Sequence, residues 1–262
     1  MRYEIEAFNT ATASSNKIHD DAVAREFGFR GGLVPGVDVY AYMTHLPAAQ
    51  WGLEWLGSGT MSARFVQPVY DGEPMTVHGE VVDGAMTLSV TGSDGVVRAT
   101  GRAAPAPVPA ADRPLPPRAP QPEVRPAASA DSLRPGTALG SLTGRFDSAG
   151  ARGYLTSVRE DLALYTEKSV AHPGWLLRFA NTVLAESVAL GPWIHVSSDV
   201  ELLDLVEAGD AIDVRAEVTG EYGRRGHRFV ELDVAVLAGD RPVQRIAHTA
   251  IHTPRRLAAS EP

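Results

Sequence analysis

The chain has 262 residues, 44% of them apolar and 21% charged, with a formal net charge of −8 and no cysteine. The missing cysteines exclude disulfides, thiolate metal sites and cysteine nucleophiles together, which fits a reducing cytoplasm. The acidic balance disfavours nucleic acid and anionic lipid as partners, and no run approaches the roughly 20 apolar residues that cross a bilayer, so a cytoplasmic protein is expected.

The first ten residues, MRYEIEAFNT, alternate charged and apolar character and lack the basic start and apolar block of a secretory leader. A turn-rich stretch follows and ends on Pro35-Gly36, after which Val37 to Gln50 reads as a helix rich in Ala, Met and Tyr. The apolar period then drops to two: Met75, Val77, Gly79 and Val81 alternate with polar residues, as in a strand with one wet face. Gly92-Ser93-Asp94-Gly95 punctuates a hairpin between TLSVTG and VVRATGRA.

From Ala103 to Pro135, Ala, Pro and Arg crowd together without any apolar period. Proline removes donors and holds the backbone extended, so a semi-rigid tether is expected there rather than a core element. The expected division is 1–103, a linker at 104–135, a second unit at 136–256 and a tail at 257–262. In the second unit Trp175 to Leu190 reads as a helix apolar on nearly every side. Ile212, Val214, Ala216 and Val218 repeat the strand beat, and Arg224-Arg225-Gly226-His227 turns a further hairpin into RFVELDVAV and VQRIAHTAI.

The two halves overlay. Pro35-Gly36 recurs as Pro173-Gly174, Trp55 as Trp193, and VYDGEPMTVHGEV as VEAGDAIDVRAEV, all at an offset of 137 or 138 residues. A constant offset across helix, loop and strand points to duplication. The expected fold is α+β, two tandem copies of an antiparallel sheet wrapped around a central helix.

The stretch SSNKIHDDAVAREFGFRGGLVPGVDVYAYMT resembles the MaoC-like, R-specific enoyl-CoA hydratase family, and FVQPVYDGEPMTVHGEV resembles its following strand pair. Asn16, Ile18, His19, Asp21, Phe27, Gly28, Val34, Pro35 and Gly36 fall on the family pattern in order. The resemblance implies a double hotdog whose second half is a degenerate copy. It also implies reversible hydration of an enoyl thioester on CoA or a carrier protein, a reaction that needs no metal and no organic cofactor. It assigns His19 as acid/base, Asn16 as the residue orienting its loop, and the Gly36 N–H as donor to the thioester oxygen, aided by the helix dipole. Thr44 falls where the family often carries a supporting hydroxyl.

Ser14 stands where the family has its aspartate, five positions before the histidine. Three readings follow: Asp38, on one helix face with Tyr42 and His45, substitutes as the acid; His19 works alone; or hydration is lost and the chain only binds an acyl thioester. A thioesterase on the same fold would also draw on Asp38. The polar Asp38, Tyr40 and Tyr42 suggest an acyl group with oxygen functions, and Trp175, Leu176 and Phe179 are expected to shape an acyl tunnel. The second half has Ser157 at the offset of His19 and no Asn-x-Ile-His, so no second active site is expected. The remaining histidines lack metal-ligand spacing. The Arg224-Arg225 turn is either a solvated hairpin or a contact for CoA or carrier-protein phosphate. Exposed sheet edges make a homodimer the expected assembly.

Overall fold

The computed structural model describes residues 1–105 and 113–255, so part of the expected linker and the expected tail lie outside the described residues. Each half contributes five strands. The first has β1 (Arg2–Glu6), β2 (Thr60–Phe65), β3 (Pro74–Val82), β4 (Ala85–Gly92) and β5 (Val97–Ala104). The second has β6 (Ala138–Arg145), β7 (Ile194–Leu202), β8 (Ala211–Arg224), β9 (His227–Ala238) and β10 (Arg241–Thr253). They form one ten-stranded antiparallel sheet ordered β1-β3-β4-β5-β2-β7-β10-β9-β8-β6. The order reads the same from either end, as two copies joined at the β2–β7 seam.

Backbone hydrogen bonds repeat the duplication in detail. Val34 N–H donates to the Val69 carbonyl, and Ala171 N–H to the Val206 carbonyl. Ala7 and Gly72 pair with Glu73 and Ala7 as Phe146 and Gly209 pair with Asp210 and Phe146. The isolated bridge of Leu33 with Tyr70 recurs as Val170 with Glu207.

Short helices precede each central one. A 3-10 turn, Lys17–His19, leads into α1 (Asp21–Glu26), whose N-terminal amides are capped by the Asp20 carboxylate. The second copy has α3 (Ser148–Ser157) and α4 (Ala163–Lys168) at this place. The central helices are α2 (Gly36–Ser58) and α5 (Pro173–Ser187). The first runs past the expected Gln50, because Gly52 takes a positive φ of 58° and starts a last turn at a new angle. Val37 through Thr44 are all buried, since α2 is wrapped by the sheet and by α5.

That last turn has no helical counterpart. In the second copy the chain straightens after α5, and Ile194 onward is already strand β7. Trp55 therefore lies in a helix while Trp193 lies in an extended lead-in, which carries residues 193–195 across the seam towards the first copy.

The stretch expected to be a bare tether is packed along its described part. Arg113 pairs with Glu201, Arg245 donates to the Pro114 carbonyl, and Arg118 pairs with Asp213, so the segment crosses β7, β10 and β8 on the face turned from the helices. It then bonds Ser141 through Ala119 and Ala189 through Pro126 and Ala128, and ends on the fully buried Leu133. Proline suits such a strap, which needs few backbone donors. Among the described residues no helix is long and apolar enough to cross a membrane.

Candidate active site

A cavity of about 390 Å³ opens between the loop around His19, the start of α2, the end of β2 and the lead-in to β7. Its walls are mostly apolar, from Ile18, Phe29, Leu33, Val39, Phe65 and Trp193. Asn16, His19 and Gly36 all line it.

His19 is held in one tautomer. Its Nδ1 is 2.7 Å from the Leu33 carbonyl, which can only accept, so Nδ1 carries the proton and Nε2 keeps its lone pair, with Asn16 Nδ2 as a donor at 3.4 Å. Burial lowers the pKa of the ring, partly offset by the Leu33 carbonyl and the charge of Asp38, so the ring is neutral at pH 7. Asn16 fixes the loop. Its Oδ1 accepts from Ile18 N at 3.3 Å and from Trp193 N at 3.1 Å, and its Nδ2 donates to the Trp193 carbonyl at 3.0 Å while lying 3.4 Å from His19 Nε2. Asn16 thus clamps the His19 loop to the second copy. The amide of Gly36 opens α2, where no helical carbonyl can reach it.

The other expected site residues lie elsewhere. Ser14 accepts from Asn16 N at 3.1 Å and acts as a turn residue beside the site. Asp38 is fully buried but off the cavity: Arg178 of α5 holds Oδ1 at 2.7 Å and the Thr10 hydroxyl donates to Oδ2 at 2.6 Å. Both oxygens are spoken for, so the expectation of a catalytic Asp38 is corrected to a structural ion pair. Tyr42 accepts from Phe8 N at 3.1 Å, away from the cavity. Thr44 donates to Ala41 O and meets His172, the N-cap of α5, while His45 bonds Glu160 of the loop between α3 and α4 at 3.0 Å and stacks on Tyr3. Trp175 packs between Phe146 and Phe179, and with Leu176 and Phe179 it lines no part of the cavity. The second copy shapes the cavity instead through Asn181, Trp193, Ile194, His195 and the hairpin residues Arg224, Arg225 and His227. Tyr40 is likewise buried in the core, off the cavity.

The space equivalent to the cavity in the second copy is filled. A Cβ on Gly174 would overlap the Tyr154 hydroxyl, and the gap among Tyr154, His172 and Trp175 has no room for a water molecule. Glu160 sits there between His45 and His172; burial alone would raise its pKa, but contacts with the two histidines outweigh burial and bring it down to about 2. His45, Glu160 and Asp161 could each turn one ligand atom towards a common point. The direct His45–Glu160 hydrogen bond and the Tyr3 stack already account for that cluster.

The chain resembles solved structures along nearly its whole length. A protein described as a MaoC-like dehydratase superposes with a TM-score of 0.62 at 13% identity, over 96% of this chain and 97% of its own. A Mycobacterium tuberculosis protein with a double hotdog fold gives 0.61 at 12% identity, over 95% of each chain. A Lactobacillus plantarum protein described as an oleoyl thioesterase gives 0.54 at 11%, over 97% of this chain and 96% of its own. The chain therefore has the double hotdog fold. No protein-family model and no curated protein sequence matches it.

Proposed function

We propose that the chain is a MaoC-like hydro-lyase that interconverts 3-hydroxyacyl and enoyl thioesters, with His19 as its acid/base. The observation that supports this most is that a neutral His19 and the free helix-start amide of Gly36 line one largely apolar cavity. An apolar wall suits the acyl chain, and the two polar groups suit the two ends of the reacting system.

The enoyl thioester would seat its carbonyl oxygen at Gly36 N–H, with a water on His19 Nε2 and Asn16 Nδ2. His19 Nε2 takes a proton from the water as its oxygen bonds to C3. The C2–C3 π electrons move towards the thioester oxygen, where the Gly36 amide and the α2 dipole stabilise the enolate. The imidazolium then returns a proton to C2, and the reverse path dehydrates. Because Asp38 is tied to Arg178 and Thr10, His19 carries both proton transfers alone. At the mouth Arg64, Arg224 and Arg225 have no carboxylate partner among the described residues and suit the phosphates of CoA or of a carrier-protein arm.

A second reading, acyl-thioester binding without turnover, is favoured by one observation: the described residues lining the cavity include no Asp or Glu. The same observation weighs against a thioesterase, which needs a carboxylate to activate water. The test is equilibration of 3-hydroxybutanoyl-CoA with but-2-enoyl-CoA by purified protein. Turnover that His19→Ala abolishes in a folded chain supports the hydro-lyase; no turnover with saturable binding of the thioester supports the binder.

A further inference from the structure

Behind the Gly36 end of the cavity the second copy buries a chain of three polar groups. His195 Nε2 is 2.8 Å from Ser198 Oγ, and Ser198 Oγ is 3.0 Å from His248 Nδ1. The two rings lie with centroids 4.3 Å apart. His195 is 7% exposed, and Ser198 and His248 1% each. Residues three apart on a regular strand face opposite ways; a register slip between Thr249 and Ala250 brings His195 and Ser198 to one face.

The outer nitrogens, His195 Nδ1 and His248 Nε2, are buried without partners. Buried polar atoms are nearly always paired, so both call for an explanation. A neutral chain has two proton arrangements. In one, Ser198 donates to His195 Nε2, His248 Nδ1–H donates to Ser198, and His195 carries its proton on Nδ1; the interior orphan is then a lone pair on His248. In the other every proton is shifted, and His248 holds a buried N–H with no acceptor. Each arrangement leaves one N–H and one lone pair without a partner, but His195 lines the cavity and His248 does not, so only the first offers its unpaired N–H to a bound acceptor. That arrangement turns an N–H towards Gly36.

His195 lines the cavity, and its Nδ1 lies 2.9 Å from the point a Cβ on Gly36 would occupy, beside the Phe65 ring at 3.1 Å. Burial first, then the nearby His248, keeps the ring neutral against a smaller pull from the Ser197 carbonyl. We propose that His195 is a further catalytic residue: with Phe65 displaced by the acyl thioester, its Nδ1–H joins the Gly36 amide on the thioester carbonyl oxygen, and Ser198 and His248 hold it in that tautomer. The inference rests on the reading above, in which that oxygen seats at Gly36.

Asparagine and glutamine separate the two ring nitrogens, since Asn places its amide nitrogen where Nδ1 was and Gln where Nε2 was. His195→Gln keeps the Ser198 bond and loses the carbonyl contact, so kcat for but-2-enoyl-CoA falls about 100-fold or more at little-changed KM, whereas His195→Asn stays within about tenfold of the parent. A ring that only supports the fold gives the opposite order, and that result overturns the proposal. The second measurement does not need turnover: 15N-histidine NMR with butanoyl-CoA, a saturated thioester that cannot be hydrated. The Nδ1 resonance of His195 moves on addition, and Ser198→Ala alters its tautomer before any is added. An unmoved Nδ1 overturns the contact whatever the kinetics. A moving Nδ1 in a protein that never hydrates but-2-enoyl-CoA supports the contact and sinks the hydro-lyase reading instead.

Discussion

Asn16 and Trp193 exchange two hydrogen bonds across the seam between the copies, Trp193 N–H to Asn16 Oδ1 at 3.1 Å and Asn16 Nδ2 to the Trp193 carbonyl at 3.0 Å. The side-chain amide behaves like one more peptide unit, and it joins the loop bearing His19 to the lead-in bearing His195. Asn16→Ala leaves three buried backbone groups without this partner, Trp193 N–H, the Trp193 carbonyl and Ile18 N–H, and is expected to cost about 1–3 kcal/mol in urea unfolding, with a fall in turnover as the His19 loop loosens. A variant as stable and as active as the parent would show the clamp to be idle.

Asp38→Ala is expected to act on stability before activity. It strands the Arg178 guanidinium, which is partly exposed and so partly rescued by water, and the cost is about 2–4 kcal/mol. At a temperature where the variant stays folded, turnover is expected to fall less than tenfold, far short of the His19→Ala loss. A stable variant with the His19→Ala phenotype would restore Asp38 as the acid.

The difference between what the chain order disclosed and what it hid follows from range. The offset relating Pro35-Gly36 to Pro173-Gly174 is a local pattern repeated, and it carried the fold. The His19 loop and the Gly36 helix start are near in sequence, so their meeting was legible too. Asp38 was misread because its partner Arg178 lies in the other copy and no periodicity links them. His195 was invisible for the same reason, and because its approach to Gly36 depends on the chain straightening at the place where the first copy has a helical turn. The Pro-rich stretch hid its role because a docked strap and a free tether share a composition; only the buried Leu133 and the arginine pairs separate them.

Four of the more deeply buried histidines, at positions 19, 172, 195 and 248, have pKa values lowered chiefly by burial, His248 to about 3. Each is neutral in the folded chain and binds a proton more readily when unfolded. The stability they allow is full above the unfolded value of about 6.5 and is lost as pH falls below it, continuing down to about pH 3 for His248. Glu160 adds its own loss only below the ordinary carboxylate range. Urea midpoints measured at pH 7.5, 6.5, 5.5 and 5.0 are therefore expected to fall steadily on the acid side, and the His248→Phe variant to show a shallower slope. A flat profile down to pH 5 would contradict the buried neutral state.

The mouth arginines give a signature in the choice of thioester. Removing Arg224 or Arg225 is expected to raise KM for an acyl-CoA severalfold with kcat unchanged, because a phosphate contact contributes equally to ground and transition states. The same variants should treat an acyl-pantetheine, which lacks the nucleotide phosphates, as the parent does. Equal losses on both thioesters would move these residues from the phosphates to the fold.

Ser14→Asp tests whether the site lacks only a carboxylate. The Ser14 hydroxyl accepts from Asn16 N at 3.1 Å, and an aspartate can accept the same N–H while reaching further towards His19. A negative charge there favours the imidazolium that forms during water addition, so the acid limb of the pH–rate profile should move to higher pH as the pKa of His19 rises. If His19 already turns the reaction over alone, the added group should raise kcat by roughly 10-fold or more through general-base help. If activity arises only in the variant, the native site is a binder that kept the cavity and gave up the chemistry. A variant with unchanged turnover and an unchanged pH profile would mean that position 14 does not face the reacting water, and the single-histidine mechanism would stand without a missing partner.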